Sequence, residues 1–127
     1  MLKQYITGIQ HIGLPTNDSD RTRKFFESLG FKEAYSTMNN GEKVVFFRMG
    51  NICIETYQNG KAAMTPGAWD HVALDVKDIE KTYEEIHKLG YKELENGIQF
   101  LPFWEHGVKF FTIMGPDGEK VEFSQML

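Results

Sequence analysis

Shifted against itself by 60 positions, the chain falls on its own second half: His11 to Glu33 aligns with His71 to Glu93 without a gap. Eight of those 23 positions are identical: His11/His71, Leu14/Leu74, Asp18/Asp78, Thr22/Thr82, Leu29/Leu89, Gly30/Gly90, Lys32/Lys92 and Glu33/Glu93. Ile12/Val72, Asp20/Glu80, Arg21/Lys81 and Phe31/Tyr91 are conservative exchanges. Farther on, Phe46-Phe47 with Met49-Gly50 echoes Phe110-Phe111 with Met114-Gly115. Such a repeat limits the fold more than composition does, because both copies must follow one order of elements. The 127 residues amount to one domain. The expectation is therefore a single domain of two modules, about residues 6–60 and 67–127, with Met64 to Ala68 as the linker.

Each module has a legible order. Gly8 to Leu14 and its copy Trp69 to Val76 are short, apolar and strand-like. Asp18 and Asp78 suit helix N-caps, since a short carboxylate accepts from free first-turn N–H groups. Apolar residues at helical spacing follow, Phe25, Phe26 and Leu29 in one copy and Ile79, Tyr83, Ile86 and Leu89 in the other. Gly30 and Gly90 stand where a left-handed residue ends a helix. The spacing then predicts strands at Phe31 to Ser36, Lys43 to Met49 and Ile52 to Tyr57. The second copy predicts them at about Tyr91 to Glu95, Val108 to Met114 and Lys120 to Ser124, with Pro116-Asp117-Gly118 as a turn. Each module reads βαβββ, which places the chain in the α+β class.

Strand alternation sorts the side chains onto two faces. Ile12 and Leu14 pack under the helix, which leaves His11 and Gly13 on the other face; Val72 and Leu74 do the same for His71 and Ala73. With Ile52 and Ile54 toward the helix, Cys53 and Glu55 point away, and with Val121 and Phe123 toward it, so does Glu122. One such residue alone reads as an ordinary strand histidine or solvated glutamate. Here a histidine and a glutamate recur at matching places in both copies, and the glutamates stand in the apolar runs Ile52-Cys-Ile-Glu and Val121-Glu-Phe. A shared face of uncompensated carboxylates is costly and a bound cation removes that cost. Two imidazoles and two carboxylates, His11, Glu55, His71 and Glu122, form an N/O set suited to a divalent metal.

Other partners are disfavoured. Lys and Arg number 14 against 18 Asp and Glu, a net charge of −4 with no basic stripe, which argues against nucleic acid and anionic membranes. The single Cys53 excludes an internal disulfide and fits a reducing compartment. No run has the length of a signal peptide or a membrane span, so the expected location is cytoplasmic.

These residues resemble the vicinal oxygen chelate superfamily, the glyoxalase/bleomycin-resistance/extradiol-dioxygenase group, from Ile9 to Gln125. The carriers are Ile9-Gln-His-Ile-Gly-Leu, Phe25-Phe-Glu-Ser-Leu-Gly-Phe, Trp69-Asp-His-Val-Ala-Leu-Asp-Val and Gly115-Pro-Asp-Gly-Glu-Lys-Val-Glu-Phe. Within the group the chain is most similar to glyoxalase I (lactoylglutathione lyase), whose ligand order of His, Glu, His, Glu falls on His11, Glu55, His71 and Glu122. The resemblance implies an open, eight-stranded cup-shaped sheet with flanking helices around nickel, cobalt or zinc, and a homodimer. It implies a small-molecule substrate, an α-hydroxy carbonyl of hemithioacetal type, whose enediolate the cation stabilises while a glutamate moves the proton. Glu122 is the first choice as that base and Glu55 the second.

The family's arginine four residues after the first histidine is Pro15 here, whereas its asparagine four residues after the first glutamate is present as Asn59. A thiol cosubstrate is therefore expected without its identity. Arg48 is a candidate to hold the anionic end of a substrate, with Asn59, Cys53, Trp69, Phe103 and Trp104 as further substrate contacts. His87 and His106 read as surface residues. Extradiol dioxygenases use two histidines and one carboxylate, and epimerases of the group carry glutamine at Glu55. An epimerase and a drug-binding resistance protein remain the alternatives.

Overall fold

The structure is a computed structural model that describes residues 1–114, 116 and 120–127. Eight strands and two helices are assigned among them, which is the expected α+β class. The strands are β1 (Ile6–Thr16), β2 (Lys32–Asn39), β3 (Glu42–Met49), β4 (Ile52–Gln58), β5 (His71–Val76), β6 (Gln99–Leu101), β7 (Val108–Met114) and β8 (Lys120–Met126). The helices are α1 (Ser19–Ser28) and α2 (Ile79–Lys88), and a single 3-10 turn at Leu2–Gln4 precedes β1. The chain forms two compact units, one of His11–Asp70 and one of Met1–Gln10 with His71–Leu127, so β1 gives its first half to one and its second half to the other.

Both helices begin and end by the same local chemistry. Asp18 and Asp78 accept at 3.1 Å from the N–H groups of Arg21 and Lys81. Each of these bonds satisfies a donor that has no partner within its helix. The first helical N–H donates to a glutamine at the end of the unit's last strand, Ser19 to Gln58 at 2.7 Å and Ile79 to Gln125 at 2.9 Å. Gly30 and Gly90 take φ of 103° and 93°, and Gly30 N–H reaches Glu27 O while Phe31 N–H reaches Phe26 O. Gly90 and Tyr91 repeat that paired closure onto His87 and Ile86.

In the His11–Asp70 unit the strands lie in the order β2-β3-β4-β1, with β4 parallel to β1 and the other pairs antiparallel. Phe26, Phe31, Val45, Phe47 and Ile54 form the core under α1, with Ile12 and Leu14 against it. Phe26 stacks on Phe47, ring centroids 5.7 Å apart. Of the neighbouring pair Phe25-Phe26 only Phe26 is buried; Phe25 is 58% exposed.

The other unit repeats the topology as β6-β7-β8-β5, with β8 parallel to β5. Its core of Val76, Ile79, Ile86, Phe111 and Phe123 also takes in Leu2 and Ile6 from the chain start. Thr7 donates to Asp75 at 2.9 Å, and Gln10 donates to Asp75 at 3.0 Å and to the Ser124 carbonyl at 3.2 Å.

Two expectations are corrected. No strand forms at 91–95; the strand after α2 is Gln99–Leu101. Buried Glu93 accepts from Gly97 N–H at 2.6 Å, turning the chain inward where an extended strand was expected. The strand containing His71 starts at that residue, so Trp69 and Asp70 precede it. Of the expected Pro116-Asp117-Gly118 turn, Asp117 and Gly118 lie outside the described residues.

Candidate metal-ligand pairs

Parallel pairing brings one imidazole and one carboxylate together in each unit. Gly13 lies opposite Glu55 in the β1–β4 register, and His11 stands two residues before Gly13 on the same face. His11 Nε2 is 3.3 Å from Glu55 Oε1, with 4% and 13% of the two side chains exposed. Ala73 lies opposite Glu122 in the β5–β8 register, again two residues after the histidine. His71 Nε2 is 3.1 Å from Glu122 Oε2, the side chains 10% and 13% exposed. In both units the residue between is glycine or alanine, so no long side chain separates the pair.

The strand carrying each glutamate is anchored by a shared pattern, Glu-x-x-Gln. Gln58 and Gln125 follow Glu55 and Glu122 by three residues and thus point to the helix side, where they hold the first N–H of α1 and α2. That pattern is visible in the sequence and was a missed signal. Phe46 was also missed. It lies opposite Glu55 in the β3–β4 register and sets its ring edge-on to His11 at 5.5 Å. An apolar wall beside a polar pair raises the cost of leaving that pair uncompensated.

The remaining expected residues are placed as follows. Cys53 is buried opposite Arg48, on the face that carries Glu55. Burial pushes its thiol up from the ordinary value, opposed by the Arg48 guanidinium and reinforced by the Glu55 carboxylate. Asn59 Oδ1 accepts from Lys61 N–H at 2.9 Å within its own turn. Trp69 lines a pocket with Leu14, Phe25 and Phe26. Phe103 is buried, and Trp104, partly buried, has a left-handed φ of 61°.

A second titratable cluster, away from any expected site, surrounds Glu93. Its carboxylate accepts from Tyr83 Oη at 2.6 Å and from Gly97 N–H at 2.6 Å, and lies 2.9 Å from His87 Nε2. His87, expected as a surface residue, is thus tied to a buried acid. The Tyr83 hydrogen bond, first among the causes, helps to hold the Glu93 carboxyl at about 2, and the same bond pushes the Tyr83 phenol up. Glu33, its copy, accepts from Arg23 at 2.8 Å, so the donor stands ten residues earlier on the helix in both modules.

A lowered carboxylate stabilises the fold above its ordinary value near 4.5, and that contribution is lost as pH falls toward 2. Glu93→Gln is expected to lower the urea midpoint at neutral pH, with the gap from wild type closing between pH 4.5 and 2. A gap independent of pH across that window would show that the charge contributes nothing.

Comparison with known proteins places these features in context. Residues 8–123 match the family model described as the glyoxalase/bleomycin resistance protein/dioxygenase superfamily. The uncharacterized Bacillus subtilis (strain 168) protein YwbC is 30% identical over 124 residues, 92% of this chain and 96% of that protein. Methylmalonyl-CoA epimerase from Mycobacterium tuberculosis has the same fold with a TM-score of 0.79 at 14% identity, over 96% of this chain and 89% of that one. The Mn(II)-bound glyoxalase from Novosphingobium aromaticivorans gives a TM-score of 0.66 at 16% identity, over 95% of this chain and 39% of that one. No helix among the described residues is long and apolar enough to cross a membrane.

Proposed function

Because the chain belongs to the glyoxalase/bleomycin resistance protein/dioxygenase superfamily, we propose that it is a metal-dependent lyase or isomerase of the glyoxalase I kind. His11, Glu55, His71 and Glu122 are the proposed ligands of one divalent cation, nickel, zinc or cobalt. The observation that carries this reading is the doubled imidazole–carboxylate pair, with donor atoms 3.3 and 3.1 Å apart. Adjacent nitrogen and oxygen ligands about 2.0–2.2 Å from one ion stand roughly 3 Å from each other, so each pair has the spacing of neighbouring ligands. When bound, the cation supplies a Lewis acid for the negative charge that develops on a carbonyl oxygen as the adjacent proton leaves.

The chain's own residues do the rest. Glu122 is the proposed base that takes the proton from carbon and returns it to the neighbouring carbon, with Glu55 as its near-symmetric substitute. Both carboxylates are only 13% exposed, which limits the water around them. Arg48, exposed opposite Cys53, is the proposed anchor for an anionic end of the substrate or of a thiol cosubstrate. Cys53, Asn59, Phe103 and Trp104 are proposed as further contacts to a small-molecule substrate. A homodimer in the cytoplasm is part of the same proposal.

Removal of a proton beside a carbonyl also serves an epimerase. That second reading draws support from the match over 89% of the Mycobacterium tuberculosis epimerase. Both are tested together on tag-free protein. Equilibrium dialysis with Ni²⁺ or Zn²⁺ is expected to load about one ion per chain. Turnover of methylglyoxal hemithioacetals made with several thiols is expected to vanish with chelator and return with metal. Turnover of methylmalonyl-CoA alone would select the epimerase, and folded protein that takes up no ion would leave the drug-binding alternative.

A further inference from the structure

A concavity lies within the His11–Asp70 unit, lined by neither His11 nor Glu55. Leu14 and Phe26, which belong to the core under α1, line it together with Phe25, Met64 and Trp69. It is therefore on the helix side of the sheet, whereas His11 and Glu55 project from the other face. Its volume of about 350 Å³ is at the small end of the range usual for ligand pockets.

Three observations mark it as built for an occupant. Phe25, Met64 and Trp69 are 58%, 73% and 50% exposed, so three large apolar side chains surround one cavity without burying themselves in it. The loop that forms its outer wall is tied near both ends to β1 and to Asn17, the residue after it. Gly60 N–H donates to Thr16 O at 3.2 Å, Ala62 N–H to Asn17 Oδ1 at 3.1 Å, and Asp70 N–H to Gly13 O at 2.8 Å. Met64 in that loop has a φ of 58°, a left-handed conformation that costs a non-glycine residue on the order of 1 kcal/mol and persists where its surroundings impose it.

The polar groups on the wall are donors. Arg21 lines the cavity and makes no ion pair among the described residues. The nearby acids are engaged elsewhere: Asp18 caps α1 and Asp20 lies 3.7 Å from Arg23. Asn17 uses its oxygen for Ala62, which leaves its amide N–H₂ to donate. Thr16 and Thr22 bond each other at 2.6 Å. One cation and one amide donor above an apolar cavity call for an anionic head on an apolar body.

The geometry points to a binding site for a small amphipathic carboxylate, its aromatic or branched body between Phe25, Met64 and Trp69 and its carboxylate on Arg21 and Asn17. The site is separate from the proposed metal chemistry, and its test reads binding alone. In ¹⁵N-resolved NMR titrations of the full chain, 4-phenylbutyrate is expected to shift residues 14–17, 21–26 and 62–69 saturably. The uncharged 4-phenylbutan-1-ol is expected to bind about tenfold more weakly, the loss of one charge-assisted contact. Arg21→Gln, at an exposed helix position, should fold normally and bind acid and alcohol alike. Absence of shifts at these residues, equal binding of acid and alcohol by wild type, or an Arg21→Gln variant that still discriminates would each overturn the site. Shifts that follow protein concentration and not added acid would assign the pocket to a second copy of the chain and overturn it as well.

Discussion

His11→Ala and Glu122→Ala are each expected to leave a folded protein that no longer retains its cation and has lost turnover by on the order of 10³-fold or more. The size follows from the role. A Lewis acid contributes several kcal/mol to a charge-forming step, and each 1.36 kcal/mol is tenfold in rate. Either variant removes one member of a pair 3.3 or 3.1 Å apart and leaves its partner, 13% or 10% exposed, with one polar contact fewer. Metal content after dialysis, kcat/KM with added metal, and far-UV circular dichroism together check it. His106→Ala removes an exposed imidazole and should keep both the ion and the rate. A His11→Ala protein with a full complement of metal and unchanged kcat/KM would remove the ligand assignment.

Deleting residues 2–10 is expected to unfold or severely loosen the half of the chain most distant from them in sequence. Leu2 and Ile6 pack into the core of Phe111 and Phe123. Lys77 N–H donates to Tyr5 O, and Thr7 and Gln10 hold Asp75 and the Ser124 carbonyl. Two partly buried apolar side chains contribute about 1–2 kcal/mol each and the hydrogen bonds about 1 kcal/mol each. The sum is on the order of 5 kcal/mol, comparable with the whole stability of a small domain. Hydrogen exchange should show β5 and β8 losing protection first, while β3 and β4 keep theirs. Uniform protection in the truncated chain would mean that the first ten residues are ornamental to that unit.

How much of this was legible depends on the range of the interaction. The caps at Asp18 and Asp78 and the closures at Gly30 and Gly90 were readable because their partners lie within five residues. The faces of His11, Glu55, His71 and Glu122 followed from the period of two, and the pairing register agrees with those faces within each unit. The missing strand at 91–95 was not readable, since the repeat suggested extension and the competing force was a carboxylate drawn inward by Tyr83 and Gly97. Phe25 and Phe26 look alike in sequence, yet only packing against Phe47 separates the buried ring from the exposed one.

The amino-acid order alone therefore established a duplicated βαβββ unit, its helix boundaries and the residue types able to bind a cation, because each depends on periodicity or on neighbours along the chain. It could not establish that the first ten residues belong with the second copy, that Glu93 is a buried anchor, or that Trp69 sits over an apolar cavity. Those outcomes arise from contacts between segments tens of residues apart, where the burial available to one segment is set by what folds against it.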